Sequence, residues 1–180
     1  MERSGGLGYG PAMAIPLHDE TEPSRRAVRA AREGDRETLE RLLDAGAPVD
    51  ACNEEGNTLL ILAAYHGRHE VVSLLLGRGA DPELPNGRGQ TPLAGVAFKG
   101  DIESARLLID AGARVDAAGP DGRTPLMYAA MFDRLELLDL LLKAGADRER
   151  ADAQGQRPLS LARTMGAQRT LARLQRLYDA

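Results

Sequence analysis

Three sets of glycines recur along the chain with a single spacing, and that spacing limits the fold more than any other feature of the sequence. Gly56, Gly89, Gly122 and Gly155 are 33 residues apart, and so are Gly46, Gly79, Gly112 and Gly145. A third series runs Gly34, Gly67, Gly100, then Asp133, then Gly166. Three ladders with one period mean that one structural unit has been repeated, and a period of this length belongs to stacked repeats that bury a shared core between neighbours.

The residues between the glycines predict what the unit is. Thr58, Thr91 and Thr124 stand two residues after the first ladder, and Pro92, Pro125 and Pro158 occupy the position after that. A threonine hydroxyl accepts a bond from an orphan N–H at a helix start, and proline at the first helical position loses nothing because its missing N–H had no partner there. Leu60, Leu93, Leu126 and Leu159 follow, then the small pairs Ala63-Ala64, Val96-Ala97 and Ala129-Ala130, which allow neighbouring helices to approach closely. The third ladder then ends this short helix in a left-handed conformation that glycine adopts cheaply, and Asp at 133 tolerates the same geometry better than most residues. A second helix follows, with apolar runs such as Val71-Val72 with Leu74-Leu75-Leu76 and Leu137-Leu138 with Leu140-Leu141-Leu142. Gly-Ala at 46–47, 79–80, 112–113 and 145–146 stops it.

A turn, a short helix, a second turn and a longer helix, with Gly89-Gln90-Thr91-Pro92-Leu93 and Gly122-Arg123-Thr124-Pro125-Leu126 as the best matches, resemble the ankyrin repeat, whose signature is a 33-residue period opened by Thr-Pro-Leu-His-x-Ala. The histidine of that motif is replaced by Ile61, Ala94, Met127 and Ser160, which is expected to soften each joint between hairpin and helix without changing the fold. The resemblance implies an all-α solenoid of helix-turn-helix units with short hairpin loops: three full repeats at 53–84, 86–117 and 119–150, a partial N-terminal unit at 24–51 and a C-terminal cap at 152–180. Residues 1–23, with Gly5, Gly6, Gly8, Gly10, Pro11 and Pro16, are expected to be a disordered leader, and either Met1 or Met13 suits as its start. Terminal units need a polar outer face; Arg25, Arg26, Arg29, Arg36 and Arg41 at one end, and Arg163, Arg173 and Gln175 at the other, supply it. Arginine outnumbers lysine so far, with Lys99 and Lys143 alone, that the bacterial-type members of the family are the ones resembled.

Composition narrows the function. A net charge of -4 gives no support to nucleic-acid binding, although Arg163, Arg169, Arg173 and Arg176 leave a local basic face at the C-terminal end. Cys52 is the sole cysteine, so neither an internal disulfide nor a cysteine-rich metal site can form. No apolar run matches a secretory signal or a membrane span, and a cytoplasmic monomer that needs no cofactor is the expectation. His66 and His69 flank Gly67 without a third ligand nearby. Glu37, Glu70, Glu103 and Glu136 recur at the start of the second helices, where they complement the helix dipole rather than form an acid–base pair. No convergent cluster suggests an enzyme.

The family's binding surface is a concave groove formed by hairpin tips and the exposed flank of the first helices. The resemblance places the two residues before each glycine of the third ladder toward it: Arg32-Glu33, Tyr65-His66, Phe98-Lys99, Met131-Phe132 and Thr164-Met165. Both phenylalanines fall in this column, in a chain with four tyrosines and no tryptophan, and aromatic and Met side chains concentrate at interfaces. The first position of each pair is half buried in such repeats, so Tyr65, Phe98 and Met131 divide between core and groove, whereas Phe132 is assigned to the groove. The tips add Glu54, Glu55 and Asn57, then Arg88 and Gln90, then Asp121 and Arg123. Gly95, inside a first helix, is either a packing concession beside Phe98 or a point of close ligand approach. The resulting candidate interface is Tyr65, His66, Phe98, Lys99, Met131, Phe132, Glu55, Asn57, Arg88, Gln90, Asp121 and Arg123, directed at another protein. Bacterial members of such a family suggest an accessory, inhibitory or immunity-type partner of an enzyme or toxin; an exported effector acting on host proteins is the alternative, and a nucleic-acid binder the remote one.

Overall fold

The computed structural model describes residues 22–179, so residues 1–21 of the expected leader at 1–23 lie outside them, while Glu22 and Pro23, expected in that leader, open the first helix instead. Ten α-helices, arranged as five successive pairs, make up the regular structure of this part: α1 Glu22–Glu33 with α2 Arg36–Asp44, α3 Leu59–Tyr65 with α4 His69–Gly77, α5 Pro92–Lys99 with α6 Ile102–Asp110, α7 Pro125–Met131 with α8 Leu135–Lys143, and α9 Pro158–Met165 with α10 Gln168–Tyr178. This is the all-α solenoid that the period implies. None of these helices is long and apolar enough to cross a membrane.

The threonine caps form as the sequence predicts. The hydroxyls of Thr58, Thr91 and Thr124 accept from the backbone N–H of Ile61, Ala94 and Met127 at 3.1, 3.3 and 3.4 Å. All three threonines are buried, so each cap satisfies a donor that water cannot reach. The first helices stack in a row, α1 on α3, α3 on α5, α5 on α7 and α7 on α9. Ala30, Ala31, Ala63, Ala64, Val96, Ala97, Ala129, Ala130 and Ala162 line the seam and are fully or almost fully buried. The second helices form a parallel outer row, packed less closely together than the inner row. Small side chains inside and leucines outside therefore curve the stack, with the first helices on the concave side.

Side chains between repeats determine the joints of the outer row. Asp35 and Asp101 cap α2 and α6 by accepting from Thr38 and Ser104 N–H. Arg68 and Arg134 hold the same position before α4 and α8 and give no side-chain cap. Arg68 instead donates from Nε to the carbonyl of Arg32 at 3.1 Å. Before α10 the position is Ala167, and its missing acceptor comes from the preceding unit: Asp133 Oδ1 accepts from Thr170 N–H at 2.9 Å. Asp133, at φ 55, is the one described non-glycine residue in the left-handed region. Sequence reasoning explained only why aspartate is tolerated there; the bond to α10 explains why it is useful. Asp133→Ala should therefore lose about 1–2 kcal/mol, through the cap and the poorer fit of alanine to left-handed backbone. Asp133→Asn, which keeps the acceptor, should stay within about 0.5 kcal/mol of the parent in a urea titration.

Arginines tie the outer rows together. Arg78 reaches Asp44 at 2.7 Å and Glu40 at 3.1 Å, Arg173 reaches Asp139 at 2.7 Å, and Arg114 and Arg169 pair with Glu83 and Glu136. The end faces are polar as expected: Arg25, Arg26, Arg29, Arg36, Arg41, Arg163 and Gln175 are exposed, while Arg173 is half-buried in its ion pair.

Candidate partner-binding groove

The hairpin tips owe their shape to side-chain acceptors. Asn53 Oδ1 accepts from the N–H groups of Glu55 and Asn57, and Asn86 Oδ1 from those of Arg88 and Gln90. Successive hairpins are joined by Gly87 N–H donating to the Glu55 carbonyl at 2.9 Å and by Asn86 Nδ2 donating to Asn57 Oδ1 at 2.9 Å. Two tips held in this way form one wall of a cavity of about 560 Å³. The opposite wall and floor come from α3 and α5: Ile61, Leu62, Tyr65 and His66 from one, Gly95 and Phe98 from the other, with Arg32 closing the end.

Seven of the sequence candidates meet here: Glu55, Asn57, Tyr65, His66, Arg88, Gln90 and Phe98. Tyr65 and Phe98 are each 41% exposed, so neither is a core residue, and both line the cavity. Phe132 and Met131 are half-buried. Phe132 stands edge-on to Phe98, with ring centres 4.7 Å apart and planes at 73°, and is not part of the cavity lining. Phe98 is thus the more exposed of the two phenylalanines, the reverse of the expected order. Lys99 lies beside the cavity, its Nζ 4.9 Å from the centre of the Tyr65 ring, in a cation–π contact. With Tyr65, His66, His69 and Asp101 it lines a shallower depression of about 420 Å³. Asp121 and Arg123 are on the third hairpin, outside the cavity. Asp121 Oδ1 accepts from Arg123 N–H, and the Arg123 guanidinium lies 3.6 Å from the carboxylates of both Asp121 and the buried Asp152.

Ile61, Leu62, Asn53 and Asn86 line the cavity although the sequence pattern did not single them out as contact residues, and Arg32, placed toward the groove by repeat position, lines it too. One signal was available for the asparagines, which recur at the repeat spacing, and another for Ile61, where the motif histidine has given way to an apolar side chain.

The charge around the groove is positive. Arg32, Arg68, Arg88 and Lys99 have no carboxylate partner among the described residues, unlike Arg78, Arg169 and Arg173 of the outer row. His66 sits among three of these cations: partial burial first, then Arg68, Arg32 and Lys99, hold its imidazole below the usual histidine range and favour the neutral ring. His69 has a different task, with Nε2 2.9 Å from the Asp101 carboxylate. Burial of Asp101 would by itself raise its pKa, but bonds from Ser104 and His69 prevail and lower it. Cys52 is buried, and burial raises its thiol pKa. Among the described residues no group of three His, Cys, Asp or Glu side chains is placed to hold a metal ion.

The family model for ankyrin repeats (3 copies) matches residues 27–119 and 97–175, most of the described chain. The chain belongs to the ankyrin-repeat family. A search of curated proteins found no match. Ankyrin repeats are in general modules that bind other proteins rather than catalyse reactions, and the groove just described is formed by the hairpin tips and first helices of this ankyrin stack. The departures from the ankyrin motif at Ile61, Ala94 and Met127 leave the threonine caps in place and bury all three side chains at the start of the first helices.

Proposed function

We propose that this protein binds a partner protein through the groove between its first two complete hairpins, as a single chain acting as an accessory, inhibitory or immunity-type subunit of an enzyme or toxin. The observation that carries the reading is the pair Tyr65 and Phe98. In a chain poor in aromatic residues, these two rings stay exposed in the lining of a preformed cavity, where tyrosine and other large side chains typically carry binding energy. The nucleic-acid alternative draws less support, since two of the four C-terminal arginines, Arg169 and Arg173, are engaged with Glu136 and Asp139.

Affinity capture of the partner from native lysate by the full chain, followed by titration of the captured protein, tests the proposal. Phe98→Ala and Tyr65→Ala should each weaken binding by about 10–30-fold, the range of a contact that dominates an interface. Phe132→Ala should weaken it less, because that ring acts through Phe98. Unchanged affinity of both Phe98→Ala and Tyr65→Ala would rule the groove out.

A further inference from the structure

Gly95 is the unexplained residue of the groove. It lies inside α5, where glycine is a poorer helix former than alanine, and its φ is not among the positive ones that demand glycine. A Cβ built on it would meet only Tyr65 Cδ2, at 3.8 Å, an ordinary contact. Packing within the chain therefore does not require it. The residues one repeat away on either side, and two repeats onward, are Leu62, Tyr128 and Leu161, so the other units place a large side chain where this one places none. The result is a notch in the groove floor, bounded by Leu62, Tyr65 and Phe98.

The rim of the same cavity is cationic. Arg32 and Arg88 line it, Lys99 lies over the Tyr65 ring, and none of the three has a carboxylate partner among the described residues. Glu55 is the acidic side chain in the lining, and it already accepts from Asn57 Nδ2 at 2.9 Å. Three cations against the one carboxylate of Glu55 thus leave a net positive charge around an apolar notch, in a chain whose own net charge is -4. Building on the groove reading, we propose that the notch at Gly95 receives an apolar side chain from an acidic segment of the partner, whose carboxylates meet Arg32, Arg88 and Lys99. Charge of this kind chiefly directs encounter and partner choice, while the buried side chain anchors the complex.

A random displayed-peptide library selected on the immobilised full chain tests this directly. The expected peptides carry Leu, Phe or Met flanked by Asp or Glu. Gly95→Leu, a residue that other units accept at this position, should fill the notch and lower peptide affinity at least about tenfold. Gly95→Ala should raise Tm by about 2–4 °C through helix propensity while binding more weakly than the parent. Arg32→Glu combined with Lys99→Glu should also cost at least about tenfold and flatten the salt dependence of binding. Selected peptides without acidic residues, or equal binding by Gly95→Leu, would overturn the inference. If such peptides still lose affinity with Phe98→Ala, the groove reading survives its failure. An absence of enriched peptides, or their displacement by a single-stranded oligonucleotide, would also overturn it.

Discussion

Leu126→Ala is expected to destabilise the protein by about 3–5 kcal/mol, a large share of the ~5–15 kcal/mol that holds a typical domain together. Leu126 is fully buried at the start of α7, which packs against α5, α8, α9 and α10. Truncation there removes apolar contact and leaves a space that neighbouring helices on several sides hinder from collapsing. In a stack, stability resides in each unit and in its interfaces with neighbours, so weakening α7 also loosens the C-terminal unit from the rest. Urea unfolding followed by circular dichroism should show a lower midpoint, with an early phase from the C-terminal end. Leu159→Ala is the control. It occupies the same repeat position, but in the last unit it is only half-buried, so its loss should be less than half as large. Equal losses at the two positions would contradict this account of the stack.

Gly56→Ala should cost about 2–3 kcal/mol, adding an unfavourable left-handed residue to the loss of one hydrogen bond. Gly56 has φ 74, and a Cβ there would lie 2.7 Å from the backbone nitrogen of Gly87. That nitrogen donates to the Glu55 carbonyl at 2.9 Å, the bond that joins the first hairpin to the second. Backbone cannot move aside as a flexible side chain can, so the hairpins must separate. Gly155 stands in the same ladder with the same φ of 74, yet a Cβ on it meets nothing within 4 Å. Gly155→Ala should therefore cost only about 1–2 kcal/mol, the conformational part alone. Urea titration gives both values, and faster hydrogen exchange at the Gly87 amide in Gly56→Ala would locate the broken contact. Because Glu55 and Arg88 belong to these hairpins, the same substitution should also weaken partner binding.

Several features of the groove were legible in the residues and several were not. The hairpin tips at Glu55, Asn57, Arg88 and Gln90 followed from repeat position, and the structure brings all four into one cavity. The aromatic column was visible for the same reason. Its ranking was not: Phe132 was expected to face the groove, yet Phe98 and Tyr65 are the more exposed rings, and Phe132 stands edge-on to Phe98. Exposure depends on how far each helix turns against its neighbour, and neighbours along the stack are 33 residues away in sequence. Asp133 shows the same limit, since the group it caps, Thr170, is reached only when α8 and α10 lie side by side.

Period, caps and helix order were thus decided by the chain alone, because turns, N-caps and left-handed stops depend on residues a few positions apart, whose chemistry can be read locally. Thr58, Thr91 and Thr124 with the glycine ladders were enough to specify the unit and its repetition. The tertiary structure alone decided which chemically similar copies matter: Leu126 over Leu159, Gly56 over Gly155, Phe98 over Phe132, and the notch left by Gly95 between larger residues. Equivalent positions in a repeat have the same local geometry but different neighbours, and burial, clash and cavity volume are properties of neighbours.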